Sequence, residues 1–326
     1  MILCHGEMLI DFIPTQARDG ALAYRPAVGG SPGNVALTLA RLEVPAGFVG
    51  GLSKDFFGEQ IVAMLEASGV STDHVARLDR PTMLAFVNLD GDEPRYAFYD
   101  AEASARHWRL EDLPAIGPDV TALHFGSLSL IRHPAALAFT ELMRRESPKR
   151  VVSFDPNIRA GLVEDERDYR ARLGEFFGKA NVIKLSQADL AWIAPGKDAR
   201  LLIDEWLGAE ARLVLFTEGS DGATIFGRAG SVSRPAIPVA VADTVGAGDA
   251  TMGGLLAALH DRHLLAKDRL DDLDEDALVE ILDFALIVAA ITCSRVGADP
   301  PRRIDLAPYL SGGRWSEASV QPPPSA

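Results

Sequence analysis

The sequence predicts an α/β protein: a doubly wound, mostly parallel sheet flanked by helices, with a small β-sheet lid. Three observations lead there. Apolar, strand-like runs alternate with helix-like runs along most of the chain, as βαβ crossovers require. Glycine-rich turns stand where strands hand over to helices, at Gly29-Gly30-Ser31-Pro32-Gly33 and again at Gly246-Ala247-Gly248. Between about 75 and 99 the alternation lapses into three short strand-like runs with no helix between them. The 326 residues are enough for one large α/β domain over 1–310, with lid segments at about 14–28 and 73–104 and a disordered tail at 311–326.

Taken in order, residues 1–13 read as a buried strand with Asp11 near its end. At the carboxyl end of a central parallel strand that acid faces the ligand crevice; a solvated loop acid is the ordinary alternative. Residues 24–28 read as extended, and the turn at 29–33 opens a helix over 35–42, with Pro32 suited to its start. Asn34 carries both a donor and an acceptor, which suits a vicinal diol, unless it is an N-cap. Residues 46–52 read as a strand and 55–68 as a helix. The lid strands are 75–78, 83–89 and 95–99, with Asp90-Gly91-Asp92 as a hairpin signal. A helix at 134–145 precedes a strand at 151–155, which ends in Asp155-Pro156-Asn157-Ile158-Arg159. The forked guanidinium of Arg159 suits two oxygens of a phosphate, although a surface salt bridge explains it as well. Strands follow at 182–185, 213–216 and 223–226, the stretch 231–241 closes the sheet, and a helix spans about 274–294.

The turn Ala242-Asp243-Thr244-Val245-Gly246-Ala247-Gly248-Asp249 carries the chemistry. Residues 236–241 before it read as a strand, and Met252, Leu255, Leu256 and Leu259 after it recur at helical spacing. A helix N-terminus exposes unpaired amides and the positive end of the peptide dipoles, so it attracts anions. Asp249 puts a carboxylate into that cradle. Beside a phosphate, such a group makes sense as the acceptor of a hydroxyl proton during phosphoryl transfer. An ordinary first-turn acid is the plain alternative. A dinucleotide site is another, although Gly246-x-Gly248-x-x-Thr251 lacks the third small residue of that fingerprint.

Composition narrows the partners. A formal net charge of −14 argues against nucleic acid and anionic membrane surfaces, so a phosphate site has to be built locally. Two cysteines, Cys4 and Cys293, do not make a disulfide or metal framework, which fits a reducing cytoplasm. The first residues lack the cationic start of a signal peptide, and no apolar run reaches the length of a membrane span. A Walker A loop, the protein-kinase signatures, His-Glu-x-x-His and Cys-x-x-Cys are all absent.

Five separate stretches point one way together: Gly6-Glu7-Met8-Leu9-Ile10-Asp11-Phe12, Gly29-Gly30-Ser31-Pro32-Gly33-Asn34-Val35-Ala36, Asp155-Pro156-Asn157-Ile158-Arg159, Thr217-Glu218-Gly219-Ser220-Asp221-Gly222 and Asp243-Thr244-Val245-Gly246-Ala247-Gly248-Asp249. In kind and order they resemble the ribokinase-like carbohydrate kinases, in the bacterial fructokinase branch, from residue 1 to about 300. The resemblance implies the ribokinase-like fold and ATP-dependent phosphorylation of a sugar hydroxymethyl group. It implies Asp249 as the base, with the amides of Gly246, Ala247 and Gly248 as the anion hole. Asp11, Gly29, Gly30, Asn34 and Arg159 fall on the sugar side, and Lys184, Thr217, Gly219 and Gly222 on the nucleotide side. Asp189 points to Mg2+, and Asp243 with the Val245 carbonyl to a monovalent cation such as K+. Lid edges imply a homodimer.

Two departures from the family pattern bear on this. Ser186 and Asp189 stand where many members carry Asn and Glu, and the shorter acid implies a metal contact through water. The run Tyr96-Ala97-Phe98-Tyr99-Asp100-Ala101-Glu102 has no arginine for an anionic sugar acid. A neutral sugar follows, fructose ahead of 2-keto-3-deoxygluconate, ribose or adenosine. A sugar-binding sensor without catalysis and a nicotinamide-dependent oxidoreductase remain as other readings.

Overall fold

In the computed structural model, which describes residues 1–88, 95–311 and 314–315, the alternation resolves into two sheets. The expected hairpin at Asp90-Gly91-Asp92 lies outside the described residues, as does nearly all of the expected tail. The chain runs β1 (Ile2–His5), β2 (Leu9–Gln16), β3 (Leu22–Gly29), α1 (Ser31–Arg41), β4 (Ala46–Ser53), α2 (Phe56–Ala67) and β5 (Ser71–Leu78). It continues through β6 (Met83–Asn88), β7 (Arg95–Tyr99), β8 (Ala122–Gly126), α3 (Ala135–Glu146), β9 (Val151–Asp155) and α4 (Glu166–Phe177). Then come β10 (Val182–Ser186), α5 (Gln187–Ile193), α6 (Ala199–Gly208), β11 (Leu213–Thr217), β12 (Ala223–Gly227), β13 (Gly230–Arg234), α7 (Ala247–Asp261) and α8 (Glu275–Cys293).

The large sheet has nine strands in the order β13-β12-β11-β10-β9-β8-β1-β4-β5, parallel from β11 to β5 and antiparallel only at β12 and β13. The period-two geometry of a strand splits its side chains between two layers. Ile2 and Cys4 enter the core under α1, α7 and α8, whereas Leu3 enters the core under α3, α4 and α6. Helix α7 packs against both α1 and α8, which fixes its N-terminus above the carboxyl ends of the parallel strands.

The lid has four strands in the order β3-β2-β6-β7. Alternation again decides what faces where. Asp11, Ala85 and Phe98 share one face, while Phe12 and Phe86 stack on the other with centroids 4.6 Å apart. Leu22 and Tyr99, on that outer face, are 69% and 65% exposed.

Three expectations need correction. Residues 1–13 are two strands in two sheets, so Asp11 sits on a lid strand and not at the end of a central strand. The run at 75–78 belongs to β5, which pairs parallel with β4 in the large sheet, so the described lid strands lie within 9–29, 83–88 and 95–99. Residues 236–241 form no strand: Pro235 and Pro238 have no amide to give a ladder, and the chain runs irregularly from β13 to α7.

Candidate active site

The site forms where α7 begins. Gly246 caps that helix in the left-handed region at φ 78°, and a Cβ there would lie 2.6 Å from the Ala298 Cβ, so only glycine fits. The turn is tied down before any ligand arrives. Asp243 accepts from the amides of Val245 at 3.0 Å and Gly297 at 2.8 Å. The amides of Ala242 and Asp243 donate to the Cys293 carbonyl at the end of α8. The Ala247 amide closes the turn onto the Thr244 carbonyl at 3.2 Å, so of the three amides expected to form the anion hole this one is already engaged, while Gly246 and Gly248 border the crevice.

Asp249 is buried there, and two donors from α1 hold it. The Ser31 hydroxyl donates to Oδ1 at 2.6 Å and the Asn34 Nδ2 to Oδ2 at 2.8 Å. Burial pushes its pKa up, while Ser31, Asn34, Lys184 and Arg159 pull it back. Asn34 is therefore no N-cap: the helix starts earlier than the sequence suggested, with Gly30 as its cap. Gly30 has φ 111°, and a Cβ on it would come within 2.5 Å of the Glu7 carbonyl. This close approach lets α1 begin directly beneath the strand that carries Asp11.

Between Asp249 and the lid lies a cavity of about 280 Å³, bordered by Asp11, Gly30, Asn34, Arg159, Gly246 and Gly248. Gly29 lies just behind this wall, because a Cβ there would fall 2.2 Å from the Asp11 Oδ2. Burial raises the Asp11 carboxyl to about 6; Arg159 opposes the rise and Asp249 adds to it. Arg159 is oriented by the carbonyl and Oδ1 of Asn157, the latter at 2.7 Å, so it serves this cavity and not a surface salt bridge. Two buried acceptors at the cavity have no hydrogen-bond partner, Oδ1 of Asn34 and Oε1 of Glu7.

The remaining expected residues sit outside the cavity. Lys184 is buried behind the cradle, its Nζ 3.3 Å from where a Gly248 Cβ would be, and bonded to Asp155 Oδ2 at 2.7 Å. Burial works against that ammonium, but Asp155 and Asp189 together hold its pKa above the usual lysine value. Burial likewise lifts Asp155 to about 6 against the pull of Lys184. Asp189 accepts from the Ile158 amide at 2.7 Å and from both the amide and hydroxyl of Ser186, closing a capping box on α5. Thr217 stands in register with Ser186 across β10 and β11. Gly219 and Gly222 follow with φ 62° and 109°, and a Cβ at Gly222 would meet the Arg234 carbonyl at 2.1 Å. Among the described residues no group of three or more His, Cys, Asp or Glu is placed to hold a metal.

Sequence reasoning passed over Ser31, Glu7 and Tyr96 as individual site residues. Ser31 and Glu7 stand inside stretches it had singled out. Tyr96 was findable from lid alternation, since it shares the face of Phe98.

The chain is similar along most of its length to known carbohydrate kinases. The model of the pfkB family of carbohydrate kinases matches residues 1–304. A fructokinase of Rhizobium leguminosarum bv. trifolii is 40% identical over 278 residues, covering 85% of each chain. Fructokinase-1 of Zea mays is 33% identical, covering 92% of this chain and 94% of its own. Among solved structures, fructokinase with bound ATP from Xylella fastidiosa superposes with a TM-score of 0.84 at 32% identity, covering 94% of this chain and 97% of that one. No helix among the described residues is long and apolar enough to cross a membrane.

Proposed function

This chain belongs to the pfkB family of carbohydrate kinases and is an ATP-dependent sugar kinase; on that premise we propose that its acceptor is the hydroxymethyl group of fructose. The observation that carries the mechanism is the Asp249 carboxylate, set at the head of an amide cradle and opening onto a cavity lined by polar groups. The sugar binds between α1 and the lid, with Asp11, Asn34 and Arg159 as its polar contacts. As the hydroxyl attacks the terminal phosphorus, Asp249 takes its proton, and first-turn amides of α7 with the positive helix end stabilise charge on the transferring group. Ser31 and Asn34 keep the carboxylate aimed, which removes a reorganisation step from the reaction. Lys184 balances the acids beneath the cradle, and the turn at Thr217, Gly219 and Gly222 takes the nucleotide side.

Fructose is supported by the names of the relatives and by the absence of arginine from the lid run at 96–102. A magnesium ion would be carried on the nucleotide phosphates, with Asp189 accepting from one of its waters beside its bonds to the Ile158 amide and to Ser186; among the described residues there is no chelating cluster. Such an ion supplies charge neutralisation at the phosphates. The Asp243 turn, braced on Gly297, suits a monovalent cation such as K+ against the Val245 carbonyl. The exposed aromatic outer face of the lid supports a homodimer, and two free cysteines fit a reducing compartment such as the cytoplasm. A coupled ADP-release assay across fructose, ribose, adenosine and 2-keto-3-deoxygluconate tests the acceptor: fructose is expected to have the highest kcat/KM, and another sugar ranking first refutes it.

A further inference from the structure

Glu7 lies on the short crossing from β1 in the large sheet to β2 in the lid, and is 1% exposed. One carboxyl oxygen is accounted for: Oε2 accepts from the Ser129 amide at 2.9 Å. The other, Oε1, is buried without a donor. Buried carboxyl oxygens are costly to leave unpaired, and native structures rarely do so without a reason. Burial lifts this carboxyl to about 7, and hydrogen bonding from the Ser127 hydroxyl and from Ser129 pulls it down. Glu7 borders the same cavity as Asp11, Asn34 and Asp249. The Ser127 hydroxyl is close by but makes no hydrogen bond to this oxygen, and a sugar is dense in hydroxyl donors.

We propose that Glu7 is an acceptor-recognition residue: its Oε1 receives a hydrogen bond from a ring or side hydroxyl of the bound sugar, next to the one received by Asn34 Oδ1. The inference rests on the sugar-kinase reading and extends it to a residue outside the base and the cradle. The competing partners are the Ser127 hydroxyl and a single water. Glu7 also borders a second pocket of about 20 Å³ shared with Asp100 and Arg132, enough for one water, and Arg132 Nε is unpaired there.

The test uses the full chain and the preferred sugar together with its monodeoxy analogues. In Glu7→Gln the amide oxygen still accepts from Ser129, while a donor replaces the free acceptor. Calorimetric Kd and KM for the sugar are expected to rise by about 10-fold or more, as for a lost charge-assisted hydrogen bond. The kcat is expected to stay within a few-fold, and one deoxy analogue is expected to bind parent and variant equally well, which identifies the hydroxyl concerned. A variant that keeps its affinity for every analogue, with or without a lowered Tm, overturns the inference. Should the variant not fold, a crystal structure of the unaltered chain with sugar decides it: a sugar oxygen within hydrogen-bond distance of Oε1 supports it, and a water or the Ser127 hydroxyl alone there overturns it. A parent enzyme that phosphorylates no sugar overturns the sugar-kinase reading itself, and this inference with it.

Discussion

Replacing Asp249 by asparagine removes the proton acceptor and almost nothing else. The side chain is held by the Ser31 hydroxyl at 2.6 Å and the Asn34 Nδ2 at 2.8 Å. Asparagine keeps a carbonyl oxygen for Asn34 and turns its amide toward Ser31, whose hydroxyl accepts as readily as it donates. Shape and hydrogen bonding survive, and a buried charge whose pKa burial had already raised is gone, so stability and sugar affinity are expected to change little. Loss of a general base commonly costs a factor of roughly 10²–10⁴ in kcat, or about 3–5.5 kcal/mol at 1.36 kcal/mol per decade. The assay is ADP release at saturating sugar, paired with calorimetric binding of sugar alone. A kcat within about 10-fold of the parent, or a loss confined to sugar affinity, refutes the assignment of Asp249 as the base.

The other predictions concern the groups around it. Lys184→Met leaves Asp155 buried without its partner and is expected to cost roughly 3–5 kcal/mol in urea unfolding, much of it recovered in the double variant with Asp155→Asn; equal midpoints for parent and Lys184→Met contradict the pairing. Asp11 has a folded pKa of about 6, above its unfolded value, so the folded chain binds more protons between about pH 4 and 6 and its stability falls as pH rises through that window. Asp11→Asn is therefore expected to raise the unfolding free energy by about 1–3 kcal/mol at pH 8, to lose that advantage below about pH 4, and to weaken sugar binding. A gain that is the same at both pH values counts against burial as the cause. Tyr99→Glu on the outer lid face is expected to convert a dimer to a monomer in sedimentation experiments; an unchanged mass places the interface elsewhere.

Much of this was legible in the sequence because the site is built from backbone turns, and such turns leave glycine signatures. Gly246, Gly30 and Gly222 stand where a Cβ would strike neighbouring atoms, so their positions report the close approaches directly. The alternation of strands and helices was equally plain, since each parallel strand buries both faces. What was missed depends on distant pairing. A strand reads the same whether it lies in the large sheet or the lid, so neither the division at Gly6-Glu7-Met8 nor the partner of β5 was visible. The start of α1 was misplaced because its cap, Gly30, has no side chain to announce it. The stretch at 235–241 was misread by weighing its apolar residues over its two prolines. Ser31 escaped notice because its partner, Asp249, lies 218 residues further along the chain.

The reaction chemistry is tested most directly by a crystal structure of the chain with fructose and a non-hydrolysable ATP analogue, in which the distance from the Asp249 carboxylate to the sugar hydroxymethyl oxygen is measured. A separation of about 2.6–3.2 Å, with that oxygen also facing the terminal phosphorus, is the expected result. A carboxylate still bonded only to Ser31 and Asn34, with the hydroxymethyl group turned toward another residue, contradicts it.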